Sequence, residues 1–103
     1  KIKKLKLMIT KKIKNKYTIS GYGALAKCVM MLNLLKLNTS HIKYVVDNTK
    51  KKQNKLIPGT NISIISPKNF IRKKTDICII FTWNYAQEII KKTKQKINWV
   101  ILK

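Results

Sequence analysis

The segment TISGYGALAKCVMML, residues 18–32, has the residue spacing in this chain that most suggests ligand chemistry. Gly21, Gly23 and Ala26 fit the pattern G-x-G-x-x-[G/A], which brings backbone N–H groups close to a phosphate when it lies between a strand and a helix. Gly21 would permit the tight turn, Gly23 would let a ligand approach the backbone, and Ala26 would allow close packing. Lys27 would add positive charge at the start of the helix. The alternative is a simple turn between a strand and a helix.

Asp47 and the pair Trp83–Asn84 could complete such a site. Asp47 follows Gly21 by 26 residues, and its carboxylate could accept hydrogen bonds from a ribose-like diol. Trp83 could stack on a base or a sugar, and Asn84 could bind a ligand. Asp47 could instead cap a loop. Asn84 could instead cap the next helix, with Gln87 three residues later as the partner in a capping box.

The charge balance is extreme, with 24 basic and 3 acidic residues and a formal net charge of +21. Such a charge is typical of nucleic-acid-binding proteins. However, 23 of the basic residues are lysines and only Arg72 is an arginine, whereas phosphate and base recognition favours the flat guanidinium. Lys, Ile and Asn make up 49 of the 103 residues, which indicates a bias towards A/T-rich codons. We therefore expect no specific nucleic-acid partner.

Further features limit the remaining function classes. Cys28 and Cys78 match no metal-ligand spacing and predict free thiols in a cytoplasmic protein. No apolar run approaches ~18 residues and the N-terminal segment lacks the core of a signal peptide, so we expect no membrane contact. The first residue is Lys1, which indicates a piece of a longer protein. His41 and the three acidic residues are too dispersed for acid–base catalysis, and we predict no catalytic or metal-ligating residue.

Hydrophobic periodicity predicts strands that alternate with helices. Apolar residues between Ile2 and Ile13 recur at helical spacing, so residues 1–15 are predicted to form an amphipathic helix or linker that packs on a domain of residues 16–103. Ser66 and Pro67 are the usual residues at a helix start. The predicted strands are 16–20, 41–47, 61–66, 75–83 and 97–102, and the predicted helices of the domain are 24–37, 67–72 and 85–96.

This alternation predicts an α/β fold. We expect a Rossmann-like, mostly parallel five-stranded sheet in the order 3-2-1-4-5, with helices on both faces and an N-terminal helix before it. Ligands of such sheets bind beyond the carboxyl ends of the strands, at the switch point between strands 1 and 4. Three segments should converge there: GYGALAK after strand 1, DNTKKKQNKLIPGT after strand 2 and WNYAQE after strand 4.

These three segments resemble the C-terminal domain of SAM-dependent C-methyltransferases that act on nucleotide-linked keto-sugars. The family pattern is approximately Y-G-A-x-A-K, then V-D-x-x-x-x-K-Q-G-K-x-x-P-G-T, then P-D-x-x-x-x-x-x-W-N, and it runs in order from residue 17 to about residue 90. Asn54 stands where the family usually has glycine. Together with the glycine pattern, the resemblance implies a substrate-binding set of Gly21, Tyr22, Gly23, Ala24, Lys27, Asp47, Lys52, Gln53, Pro58, Gly59, Thr60, Trp83 and Asn84.

The resemblance also implies what this chain does not hold. In that family a zinc-binding region and a SAM-binding domain come first, so SAM and zinc are expected only in upstream domains and no cofactor is expected on this chain alone. The expected partners are a nucleotide-linked sugar and the upstream methyltransferase domain. The chain would then recognise substrate without catalysing the reaction alone. Two alternatives stay open: an independent NAD-type dinucleotide-binding module, and a basic nucleic-acid-binding module.

Overall fold

The computed structural model describes residues 2–103, and Lys1 lies outside the described residues. Its centre is a five-stranded sheet in the order β3-β2-β1-β4-β5, in which every neighbouring pair is parallel. The predicted α/β fold and strand order are therefore confirmed. The elements are α1 Ile2–Lys14, β1 Ile19–Tyr22, α2 Ala26–Leu34, β2 Val45–Val46, β3 Ile64–Ile65, α3 Pro67–Ile71, β4 Ile77–Ile80, a 3-10 turn Trp83–Tyr85, α4 Ala86–Lys92 and β5 Asn98–Ile101.

The sheet separates two layers of core because successive strand residues point to opposite faces. On one face, alternate residues such as Ile19, Ile77 and Ile79 pack with the buried residues of α1 and α2. On the other face, Val46, Cys78 and other alternate residues pack with residues of α3 and α4. All four residues of β4 are buried, as its unbroken apolar run predicts for a strand covered on both faces.

The N-terminal helix α1 is part of the first core layer. Leu5 and Ile9 are buried in it, and Met8 and Ile13 pack against it. The Lys6 ammonium donates a hydrogen bond to the carbonyl oxygen of Leu35, which is the C-cap of α2. The predicted packing of this amphipathic helix on the domain is confirmed. Within residues 2–103, the structure contains no helix with the length and apolar content needed to cross a membrane.

Several predicted boundaries differ from the observed ones. The first strand does not stop before Gly21 but continues through it to Tyr22, and the helix after it begins at Ala26 and ends at Leu34 instead of covering 24–37. The other strands are shorter than predicted, and the last helix ends at Lys92. Helix α3 begins as predicted, with the Ser66 hydroxyl accepting a hydrogen bond from the Asn69 N–H at 3.1 Å.

Lysine occupies a glycine-like position at the ends of two helices. After α1 and α2, Lys16 and Lys36 have φ of 66° and 54°, which is the left-handed region. The Lys36 N–H donates to the Asn33 carbonyl at 3.1 Å and the Leu37 N–H to the Leu32 carbonyl at 2.8 Å, which is the hydrogen-bond pattern of a Schellman motif. Glycine usually fills this position because a Cβ costs roughly 1–2 kcal/mol in that conformation.

We therefore expect Lys16→Gly and Lys36→Gly each to stabilise the protein. Each substitution should raise the free energy of unfolding by about 1 kcal/mol, which corresponds to about 4–8 °C in the thermal midpoint of a domain of this size. Lys11→Gly is the matched control, because a glycine inside α1 should destabilise by about 1 kcal/mol. Urea unfolding of the three variants measures the effect, and destabilisation by all three would contradict the prediction.

Candidate functional site

The candidate site is a cavity at the carboxyl ends of the strands. It lies where the chain leaves β1 and β2 and where the 3-10 turn leads into α4, and it encloses about 400 Å³. This is the switch point of the sheet, the usual position of ligands in open parallel sheets. The cavity is lined by Tyr22, Gly23, Asp47, Asn48, Thr49, Pro67, Thr82, Tyr85, Glu88, Ile89 and Lys92.

The backbone of Ala24 is clamped at the edge of this cavity. Its N–H donates to Oδ2 of Asp47 at 2.7 Å, and its carbonyl accepts from the Lys52 ammonium at 2.9 Å. Both side chains come from the segment after β2, whereas Ala24 follows β1. Because Ala24 and Asp47 are buried, water cannot replace these hydrogen bonds easily, and the clamp fixes the two segments relative to each other.

The rest of the loop after β2 is built around the same carboxylate. Oδ1 of Asp47 accepts from the Thr49 N–H at 2.8 Å, and the Gln53 amide donates to the Asp47 carbonyl at 2.9 Å. Asn54 follows with φ of 63°, a conformation that asparagine adopts more readily than most residues. Asn54, which stands where the resembling family usually has glycine, therefore adopts a backbone conformation that glycine would also permit. In this structure Asp47, Lys52 and Gln53 hold the loop, and of the three only Asp47 lines the cavity.

The two glycines have roles different from those that their spacing predicts. Gly21 lies inside β1, so its predicted role in the tight turn is wrong. A Cβ there would lie 3.0 Å from Cε2 of Phe81 and 3.2 Å from Cγ2 of Val45, so glycine gives room for side-chain packing. Gly23 makes the turn, with φ of 99°, and a Cβ on it would lie 2.5 Å from Cγ2 of Thr82. The Gly23 N–H donates to the Val46 carbonyl at 2.7 Å.

Lys27, Trp83 and Asn84 lie at the predicted edge but outside the cavity lining. The Lys27 ammonium donates to the Leu102 carbonyl at 3.1 Å and so fastens the segment after β5 to the first turn of α2. Trp83 is 50% exposed, and the Lys103 ammonium lies 5.8 Å from its ring centroid. Asn84 is exposed in the 3-10 turn, and α4 begins at Ala86. The predicted capping of that helix by Asn84 is therefore wrong.

Pro58, Gly59 and Thr60 lie far from the cavity along α2. The Pro58 carbonyl accepts from the Asn33 amide at 2.9 Å, and a Cβ on Gly59 would lie 2.1 Å from Oδ1 of Asn33. Asn33 belongs to the last turn of α2. That helix starts at the carboxyl edge of the sheet and runs away from it, so its last turn lies at the end remote from the cavity. The buried Thr60 hydroxyl donates to the Ile57 carbonyl at 2.9 Å and stabilises its own loop. These three residues therefore shape the loop and do not line the cavity.

Most of the cavity-lining residues that come from α4 and from the segment before it were not identified from the sequence. Tyr85, Glu88, Ile89 and Lys92 recur at helical spacing and form one side of the cavity. That spacing, read together with the position of α4 directly after the switch-point strand, is the signal that could have identified them. Glu88 and Asp47 are two of only three acidic residues in the chain, so the carboxylates of a strongly basic protein are concentrated at this cavity.

Comparison with known proteins shows the family of this chain. The family model that describes the C-methyltransferase C-terminal domain matches residues 1–101 of the sequence. This chain belongs to the C-methyltransferase C-terminal domain family. It is also 37% identical over 78 residues to the C-methyltransferase NovU of Streptomyces niveus. The alignment covers 76% of this chain and 19% of that relative, so the chain spans about a fifth of the relative's length.

The titratable groups of this C-methyltransferase C-terminal domain indicate hydrogen-bonding chemistry at the cavity. Burial, with smaller contributions from Cys78 and Asp47, raises the pKa of Tyr22, so its hydroxyl stays protonated at neutral pH and can donate to a ligand. Burial raises the pKa of the Cys28 and Cys78 thiols to about 12, which makes both poor nucleophiles. Across residues 2–103, no three His, Cys, Asp or Glu side chains are grouped in a way that could hold a metal ion.

His41 lies at the opposite edge of the sheet from the cavity. Its Nδ1 accepts from the Asn38 N–H at 3.2 Å, and the nearby Lys43 N–H donates to the carbonyl of Ile19, the first residue of β1. Burial, followed by the charge of Lys6, lowers the pKa of His41. This histidine is therefore placed to cap a turn and not to exchange protons with a ligand in the cavity.

The close approach of Gly23 to Thr82 gives a prediction about stability. Gly23→Ala should lower the free energy of unfolding by about 2 kcal/mol or more, because it adds a Cβ at positive φ and a steric clash. Gly21→Ala should cost only about 1 kcal/mol, because its φ is not positive and an added Cβ requires the Phe81 ring to shift by only a few tenths of an ångström. Thr82→Ala in the Gly23→Ala background should recover part of the loss. Chemical denaturation of the set measures these effects, and equal losses for the two glycines would contradict the structure.

The clamp on Ala24 gives a second prediction. Asp47→Ala should lower the free energy of unfolding by about 1.5–3 kcal/mol, because it leaves a buried N–H without its charged acceptor. Lys52→Met should cost about 1 kcal/mol, since it keeps the aliphatic stem but removes the donor. Asn48→Ala and Lys51→Met change exposed neighbours and are the matched controls. Losses in the controls as large as those in the clamp variants would show that the clamp is not the cause.

Proposed function

We propose that this domain recognises the substrate of a SAM-dependent C-methyltransferase and that the substrate is a nucleotide-linked keto-sugar. The observation that carries the proposal is the cavity of about 400 Å³ at the switch point, a volume within the roughly 300–1,000 Å³ of small-molecule sites. Family membership and the similarity to a C-methyltransferase support the same class of reaction.

The chemistry of the cavity lining suits a sugar with an anionic appendage. The exposed ring of Tyr85 offers an apolar face for a sugar or a base, and Tyr22 and Thr82 offer hydroxyl groups. Lys92 offers an ammonium to a phosphate, and Glu88 can accept hydrogen bonds from sugar hydroxyls. The net charge of +21 attracts anionic substrates over distances of about a Debye length.

In this proposal the domain positions the sugar for a reaction whose other groups lie elsewhere in the longer polypeptide. C-methylation next to a ketone requires a base that removes the proton from the α-carbon, and SAM supplies the methyl group when it is bound. The Gly23 and Ala24 N–H groups, which would otherwise face a nucleotide phosphate, already donate to Val46 and Asp47. These amides are therefore not available to a nucleotide, which supports placing the SAM site on the part of the enzyme outside this chain.

The same hydrogen bonds weaken the case for an independent NAD-type module. Such a module needs free amides in its glycine turn and an acidic residue free to accept from ribose. Here Gly23 and Ala24 use their amides within the fold, and each oxygen of Asp47 already accepts from a backbone N–H. The family assignment also favours the sugar over a basic nucleic-acid-binding role. The two buried free thiols fit the reducing cytoplasm, the compartment that we propose for the protein.

The test measures the midpoint of thermal unfolding of this chain with and without dTDP-glucose as the probe ligand. At a concentration about ten times Kd, the ligand should stabilise the protein by about 1.4 kcal/mol, which is about 6 °C or more. Lys92→Ala and Tyr85→Ala should reduce this shift. Lys91→Ala is the matched control on the same helix, and Lys27→Ala should also leave the shift intact because Lys27 is bound to Leu102. A flat midpoint up to millimolar dTDP-glucose, or a shift with NAD instead, would reject the proposal.

A further inference from the structure

Helix α2 exposes an apolar face in a protein that is rich in lysine. Met30 and Leu34, one helical turn apart, are 58% and 57% exposed. Residues 28–35, CVMMLNLL, carry no charged side chain, although 23 of the 103 residues are lysines. A helix that is apolar on all sides is normally buried on all sides. The outer face of α2 departs from this rule, because its apolar side chains are exposed.

A groove continues this face towards α1. It is formed by Leu7 of α1 and by Leu34 and Leu35 at the end of α2, and it encloses about 410 Å³. Leu7 is 70% exposed. The Lys6 ammonium donates to the Leu35 carbonyl and so holds α1 against the end of α2. The groove is therefore a fixed feature of the packed helices, and we call Leu7, Met30, Leu34 and Leu35 the α1–α2 apolar surface.

The charges at the rim of the groove indicate which kind of partner would bind there. Lys3, Lys6 and Lys36 border the groove, and the three acidic residues of the chain, at positions 47, 76 and 88, are not among the residues that line it. A complementary surface should therefore present apolar side chains flanked by carboxylates. A second copy of this chain is a poor candidate, because it also carries a charge of +21 and the two copies would repel each other.

We propose that the α1–α2 apolar surface docks an acidic amphipathic segment from the methyltransferase part of the longer polypeptide. The proposal rests on the proposed function in one respect, namely that such a part exists. The relative NovU is a C-methyltransferase of which the match covers only 19%, so most of the length of that protein lies outside this domain. An exposed apolar surface with a polar rim is typical of a contact with another domain.

This surface and the cavity lie on opposite faces of the sheet. The cavity is lined by Pro67 of α3, Tyr85 of the 3-10 turn and Lys92 of α4, among others, whereas α1 and α2 pack on the other face. A segment docked on the α1–α2 apolar surface therefore leaves the cavity open to its own ligand. Variants of the docking surface should keep the response to dTDP-glucose, so a failure of docking can be distinguished from a failure of ligand binding.

The experiment measures binding of this chain to two fluorescein-labelled model peptides by fluorescence anisotropy. One is an amphipathic helix of leucine and glutamate, and the other is its leucine and lysine counterpart. The acidic peptide should bind and the basic one should not. Leu7→Ser combined with Leu34→Ser should weaken binding about tenfold or more, because two apolar contacts are lost. Leu56→Ser combined with Ile71→Ser is the matched control, since both are 56% or more exposed and lie elsewhere.

A second pair of variants tests the charged rim. Lys3→Gln with Lys36→Gln should weaken binding of the acidic peptide more than Lys68→Gln with Lys91→Gln, because only the first pair borders the groove. Equal losses in target and control variants would overturn the proposal, as would failure of the acidic peptide to bind at millimolar concentration. Dimerisation in sedimentation velocity that Leu34→Ser abolishes would also overturn it, because a second copy would then be the occupant.

Discussion

The clamp on the Ala24 backbone is the constraint on which the carboxyl edge of the sheet depends. Ala24 lies in a buried turn between β1 and α2, where an unsatisfied N–H or carbonyl group would be costly. Asp47 accepts from its N–H and Lys52 donates to its carbonyl. The same carboxylate accepts from Thr49 and so shapes the next loop. Because both segments border the cavity, the form of the candidate site follows from hydrogen bonds inside the protein.

Several charged side chains of this unusually basic chain form hydrogen bonds with the main chain, as Asp47 and Lys52 do at Ala24. Lys6, Lys27 and Lys52 each donate to a main-chain carbonyl at the end or edge of another element. Asp47 and Asp76 each accept from a main-chain N–H, the first at the carboxyl edge and the second from Thr18 before β1. Two of the three carboxylates and some of the many ammonium groups therefore satisfy the backbone. A high net charge is compatible with this fold because the charged groups that lie close to the core have main-chain partners.

The sheet also separates two surfaces that differ in chemistry. The face covered by α3 and α4 carries the cavity, with tyrosine, threonine, carboxylate and ammonium groups in its lining. The face covered by α1 and α2 carries the apolar surface around Leu7 and Leu34, bordered by lysines. Parallel sheets make such a separation possible because successive side chains of each strand point to opposite layers. One domain can thus present two chemically different surfaces through different layers.

The sequence by itself determined the α/β class, the strand order, the start of α3 at Ser66 and the family, because these depend on short-range periodicity, end residues and motif order. The tertiary structure alone decided that Gly21 lies inside a strand, that Lys27 binds the carbonyl of Leu102, and that Tyr85 and Lys92 line the cavity. Each of these outcomes depends on which groups meet across the sheet or at its edge. A local pattern specifies that a side chain can bind, whereas packing between residues distant in the chain decides what it binds.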